Sequence, residues 1–110
     1  LDSMTLLEQL RSNLLHHFVI DIVQDKNGLA LIFDNGCALP MRCACCDKPM
    51  FTVDANAFLD CLSRARVADI VSRDQSFTLK LLLPSERTIQ YSLSVESARQ
   101  LTSSRDISGL

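Results

Sequence analysis

Three of the five cysteines of this 110-residue chain fall within residues 43–46, in the run Arg42-Cys43-Ala44-Cys45-Cys46-Asp47-Lys48-Pro49. Cys43 and Cys46 have the C-x-x-C spacing that lets two thiolates reach one zinc ion, and a turn-forming tail follows, so the segment reads as half of a metal knuckle. No second C-x-x-C and no spaced histidine pair lies downstream. The remaining ligands would have to be supplied by the fold, from Cys37, Cys61, His16 or His17. Two other readings stand beside the metal one. Cys37 and Cys61 suit small core positions on a strand and a helix, and the thiol cluster suits a disulfide or redox role. Adjacent Cys45 and Cys46 could close only a strained disulfide ring. A thioredoxin-like pair needs C-x-x-C at a helix start after a strand, a setting that Pro49 does not supply.

The other reactive residue types lack a constellation. Neighbouring His16 and His17 point in different directions on a helix or strand, so they read as helix-end histidines meeting terminal carbonyls. There is no G-x-S-x-G elbow, glycine-rich phosphate loop, H-E-x-x-H or paired acidic run. Asp21, Asp34, Asp54 and Asp60 read as a strand surface, a turn, a helix cap and a helix surface. Arg64, Arg66 and Arg73 with Asp69 and Asp74 read as a mixed, solvated surface. The expectation is a protein that is not an enzyme and carries no cofactor, zinc being the one candidate.

The elements that must position these residues follow from periodicity. Thr5-Leu6-Leu7-Glu8 has capping-box spacing, and Leu7, Leu10 and Leu14 share one helical face. Phe18, Ile20 and Ile22 then alternate with Val19, Asp21 and Val23, and Asp25-Lys26-Asn27-Gly28 is hairpin-turn chemistry. Residues 29–33 form the return strand. Asp34-Asn35-Gly36 turns into residues 37–42, which Pro40 demotes to an edge strand or an irregular segment. Asp54 caps a second helix with Phe58, Leu59, Leu62 and Ala65 inward, running to about Arg66, with Ile70 continuing the helical spacing. Phe77, Leu79, Leu81 and Leu83 alternate out, Pro84-Ser85-Glu86-Arg87 turns, and Ile89, Tyr91 and Leu93 alternate back. Ser94 caps a final short helix with Val95, Ala98 and Leu101 inward. The sequence thus predicts a small α+β domain over residues 1–101, in the order α-β-β-β-α-β-β-α. An antiparallel sheet, made of a three-stranded meander plus a second hairpin, carries the helices on one face. Residues 102–110 are expected to form a flexible tail, and no internal repeat is evident. Leu82, beside Thr78 and Lys80, marks an apolar spot on the outer sheet face for a partner or second subunit.

Composition narrows the function. An apolar fraction of 47% provides a packed core, and a net charge of −2 without a basic run leaves no footprint for nucleic acid or an anionic membrane. No stretch reaches the roughly 18 apolar residues of a membrane span. An odd number of cysteines, three of them crowded, favours a reducing compartment and hence the cytoplasm. Leu1-Asp2-Ser3 ahead of Met4 reads as an added leader with Met4 the native start, which agrees with that compartment.

The element order, small size and mild acidity resemble the class I chaperones of bacterial type III secretion, and Leu31-Ile32-Phe33-Asp34-Asn35-Gly36 is similar to their strand-turn signature. Those chaperones end in a long acidic helix, whereas residues 94–101 are short. Residues 29–101 also resemble the invasion-associated locus B family of bacterial periplasmic proteins, in which an acidic turn precedes a cysteine pair, as Asp34 precedes Cys43 and Cys46, and a hairpin closes on a Ser-Leu like Ser92-Leu93. The missing catalytic constellations and basic patches, with a compact α+β pattern that has apolar residues to spare, lead to the expectation of a bacterial, non-enzymatic adaptor or secretion-chaperone-like protein, a homodimer, holding a protein partner on an apolar sheet or helix face. The competing expectation is a small metal- or redox-responsive protein centred on Cys43, Cys45 and Cys46.

Overall fold

The computed structural model describes residues 5–102, so residues 1–3, expected to be an added leader, and residues 103–110 of the expected 102–110 tail lie outside the described residues; Thr102, expected to begin that tail, is instead paired with Ala38. Helix α1 (Leu6–Leu14) starts where expected. Thr5 Oγ1 accepts the Glu8 N–H while the Glu8 carboxylate accepts the Thr5 N–H, and the helix buries Leu10 and Leu14. Strands β1 (Val19–Asp25), β2 (Gly28–Phe33) and β3 (Ala38–Pro40) form the expected antiparallel meander. In the first turn the Asp25 carboxylate accepts the Asn27 N–H at 2.7 Å. Gly28 there has φ 107°, and a Cβ on it would lie 2.8 Å from Pro49 Cβ and 3.0 Å from the Met50 carbonyl oxygen. Glycine is needed at that position for both reasons.

Helix α2 (Ala55–Leu62) is capped by Asp54, whose carboxylate accepts the Asn56 and Ala57 N–H groups at 3.1 Å. It stops earlier than the helical spacing predicts. Residues expected to prolong it form strand β4 (Arg66–Arg73), which pairs with β5 (Ser76–Leu82), and β5 pairs with β6 (Thr88–Ser94) before the short helix α3 (Val95–Arg99). The α+β class and the single small domain stand, with one strand added to the closing hairpin, and the strands form two three-stranded antiparallel sheets, β1-β2-β3 and β4-β5-β6, rather than the one sheet expected. The β4–β5 register shifts between Val67 and Asp69, so Val67 and Ile70 both face the core three residues apart, which imitates a helical period.

The chain does contain an internal repeat. Val19-Ile20-Asp21-Ile22-Val23 and Val67-Ala68-Asp69-Ile70-Val71 share the pattern V-x-D-I-V with residue 67 against residue 19, an offset of 48. The offset carries through the structure. Helix α1 ends at Leu14 and α2 at Leu62, and the second residue after each helix is left-handed, His16 at φ 71° and Arg64 at φ 66°. The β1–β2 register shifts between Val19 and Asp21 as the β4–β5 register does between Val67 and Asp69. In each shift the aspartate accepts the next backbone N–H at 2.8 Å, Asp21 from Ile22 and Asp69 from Ile70. The molecule is two copies of a helix–meander unit.

The copies join by exchanging equivalent hydrogen bonds around a Phe18–Arg66 bridge. Val19 N–H donates to the Ala65 carbonyl (2.8 Å) and Arg64 N–H to the Val19 carbonyl (3.0 Å). By the same offset, Val67 N–H donates to the His17 carbonyl (2.9 Å) and His16 N–H to the Val67 carbonyl (2.8 Å). Each helix packs on the other copy's first strand, α1 on β4 and α2 on β1. A second seam runs from the end of β3 to β6 and beyond, through Ser94 N–H to the Arg42 carbonyl (3.1 Å) and reciprocal bonds between Ala38 and Thr102 (2.8 and 3.1 Å). The enclosed core is led by Leu14, Leu31, Phe33, Leu62, Val67 and Leu81. Leu82 is half-buried in an open cleft of about 350 Å³ with Phe18, Leu83 and Pro84, while Thr78, expected on an exposed face with it, is buried.

Replacing Gly28 by alanine is expected to destabilise the fold by roughly 2–3 kcal/mol, from the strained φ and the collision with Pro49 and Met50. Denaturant unfolding of G28A measures this, and an unchanged midpoint would show that the 49–50 segment yields freely.

Candidate metal centre

The cysteine cluster sits at the tip of a small hairpin. Its two arms run from Met41 and to Met50, paired through Met50 N–H to the Met41 carbonyl (3.0 Å) and through an Arg42–Pro49 bridge. The tip is closed by Cys43 N–H to the Lys48 carbonyl (2.8 Å) and Asp47 N–H to the Cys43 carbonyl (2.9 Å), with Asp47 left-handed at φ 57°. Its base is fixed to α3. The Ser97 hydroxyl accepts the Arg42 N–H at 2.8 Å. Asp47 Oδ1 accepts Arg42 Nε at 3.0 Å and the Ser94 hydroxyl at 2.7 Å. Ser94 also caps α3 by accepting the Ser97 N–H at 3.2 Å, so one side chain does the expected capping and anchors the hairpin as well. The Ser94 hydrogen bond, then Arg42, holds the Asp47 carboxyl below its ordinary range.

Within this frame the Sγ atoms of Cys43, Cys45 and Cys46 all lie within 4.8 Å of one another, and Cys43 and Cys45 are 3.2 Å apart. Cys43 is half-buried, and Cys45 and Cys46 are exposed. The Cys43 thiol is brought down to about 7, chiefly by the hydrogen bond from the Cys45 thiol, then by the Cys45 backbone N–H and by the thiol and N–H of Cys46. The Cys45 thiol is pushed up by the same hydrogen bond and by the negative charge of Cys43 and Cys46. The knuckle therefore favours one thiolate at Cys43, solvated by its neighbours. Cys45 and Cys46 open on a cleft of about 450 Å³ lined also by Gln75, Glu96 and Arg99.

The structure brings together Cys43 and Cys46, as their spacing predicts, and adds Cys45 between them. It does not bring up the other residues expected to complete a zinc site, and among the described residues the metal-competent group holds those three cysteines alone. Cys37 is a buried core residue whose Sγ faces the Asn13 carbonyl at 4.0 Å. Cys61 is exposed on α2. His16 Nδ1 is 3.2 Å from an Arg66 guanidinium nitrogen, and His17 Nδ1 lies 2.8 Å from Asp34, so the rings meet side chains rather than terminal carbonyls. Asp69, read from sequence as solvated surface, pairs with Arg11 at 2.7 Å, which lowers its carboxyl. The supporting shell of Arg42, Asp47, Ser94 and Ser97 had no sequence signal beyond the Ser94 cap, because Asp47 and Ser94 meet across the second seam. Comparison of the chain with protein-family models, with curated proteins and with solved structures found no match.

In reduced protein with chelator present, alkylation of Cys43 is expected to be half-maximal near pH 7, with Cys45 reacting only at higher pH. Cys45→Ala removes the largest support for the Cys43 thiolate and should move that midpoint upward. Residue-resolved mass mapping across pH measures both, and an unmoved Cys43 midpoint in C45A would refute the hydrogen-bonded arrangement.

Proposed function

We propose that this protein is a non-enzymatic protein-binding module, an adaptor or chaperone-like accessory of a reducing compartment, that holds its partner on the apolar flank formed by β1 and residues 51–53. The observation that supports this reading is a set of large apolar side chains left in solvent: Ile20 at 54%, Val23 at 47%, Phe51 at 58% and Val53 fully exposed. Local bonding fixes them there. The Gln24 side chain brackets Thr52, accepting its N–H at 2.8 Å and donating to its carbonyl at 3.2 Å. That bracket sets Phe51 and Val53 on either side of an anchor one residue from Val23. Apolar surface held out by specific hydrogen bonds marks an interaction face. A second apolar spot, Phe18 with Leu82, lies at the start of the same strand.

The low net charge and absence of a basic track support a protein partner rather than nucleic acid or lipid. No helix among the described residues is long and apolar enough to cross a membrane. The first partner to test is a second copy, since a face of this kind is self-complementary in a two-fold dimer.

Sedimentation of the wild-type protein is expected to give a concentration-dependent dimer. The double variant Ile20→Asp, Val53→Asp should weaken it by at least about tenfold, with the unfolding midpoint unchanged because both side chains are exposed. A monomer at all concentrations that also fails to bind an apolar dye would overturn the reading.

A further inference from the structure

We propose that Cys43, Cys45 and Cys46 form a three-thiolate site for a thiophilic d10 metal ion, with an open fourth position facing the cleft beside α3. The proposal is independent of the apolar flank. It rests first on geometry: four-coordinate zinc at about 2.3 Å from sulfur sets its thiolates roughly 3.8 Å apart, and the three Sγ atoms, 3.2 Å apart between Cys43 and Cys45 and all within 4.8 Å of one another, bracket that spacing. It rests next on rigidity. The hairpin tip is closed by two backbone hydrogen bonds and tied through Asp47 to Arg42 and Ser94, so the sulfurs converge on a frame that needs no folding around the ion.

The donor set names the ligand. Three sulfurs without carboxylate or imidazole select a soft ion, Cu(I) or Zn(II), over calcium or magnesium. A closed structural zinc site takes four protein ligands. Here a cleft of about 450 Å³ adjoins Cys45 and Cys46, which gives a small exchangeable ligand access to the fourth position. The site is therefore built for reversible loading, Cu(I) in a trigonal thiolate set or Zn(II) with a solvent or small-molecule fourth ligand. Binding replaces the thiol protons, which pass to solvent, and no electron is transferred.

The test is anaerobic titration of reduced, folded full-length protein with Zn(II) and, separately, with Cu(I), against a competing chelator, with thiol alkylation counted by mass. One ion per chain is expected, protecting Cys43, Cys45 and Cys46 while Cys61 stays reactive. Each of Cys43→Ser, Cys45→Ser and Cys46→Ser should lose more than the roughly 10–100-fold typical of an outer-layer change, and Cys61→Ser should lose nothing. Circular dichroism checks that each variant is folded. The two metal arms decide which ion is preferred. Retention of wild-type affinity by C45S would overturn the three-thiolate site, as would equal affinity in the denatured chain, which would reduce the cluster to adventitious thiols.

Discussion

The reciprocal crossing of residues 16–19 with residues 64–67 is the interaction on which the rest of the fold depends. After each helix a left-handed residue, His16 or Arg64, reverses the chain so that the next strand starts against the other copy. Each non-glycine left-handed residue costs about 1–2 kcal/mol. The four exchanged hydrogen bonds return roughly 1 kcal/mol apiece, and the turn delivers Val19, Ala65 and Val67 to full burial. Without the crossing, two short helices and two meanders would each lack a surface to bury against, since α1 covers β4 and α2 covers β1.

The duplicated register shifts show how a strand can bury more than alternation allows. In each copy the aspartate of V-x-D-I-V accepts the following backbone N–H, which occupies a donor that the shifted ladder leaves over. A polar residue in the middle of an apolar run is thus a structural necessity at Asp21 and Asp69. The copies differ around this shared frame. Asp69 forms an ion pair with Arg11, and the cysteine hairpin follows β3 of the first copy alone.

That hairpin connects the two surfaces of interest. Its tip carries the three sulfurs, and its return arm runs through Pro49 and Met50, where Leu29 N–H donates to the Met50 carbonyl at 2.9 Å, before continuing into Phe51 and Val53. Gly28 lets this arm lie close against the start of β2. A change in the hairpin tip is consequently joined by one short, hydrogen-bonded segment to the exposed flank of β1.

The capping box at Thr5, the Asp54 and Ser94 caps, the meander and the closing hairpin were legible in the sequence, because each is fixed by residues within a few positions of one another. The C-x-x-C pair was legible for the same reason. Strand β4 was not, because a register shift gives Val67 and Ile70 the spacing of a helix, and only pairing with β5 and with residues 16–19 decides between the two. The repeat was present as V-x-D-I-V but rests on four matching residues, and its meaning lies in bonds exchanged across the crossing. Of the expected zinc partners, Cys37 was set apart by burial, His16 by its contact with Arg66, and Cys61 by its place on the exposed surface of α2, none of which local spacing encodes. The sequence by itself determined the local elements and the pair of sulfurs. Tertiary structure alone decided which residues support them, because hydrogen bonds and buried area between distant segments exist only once the two copies have closed on each other.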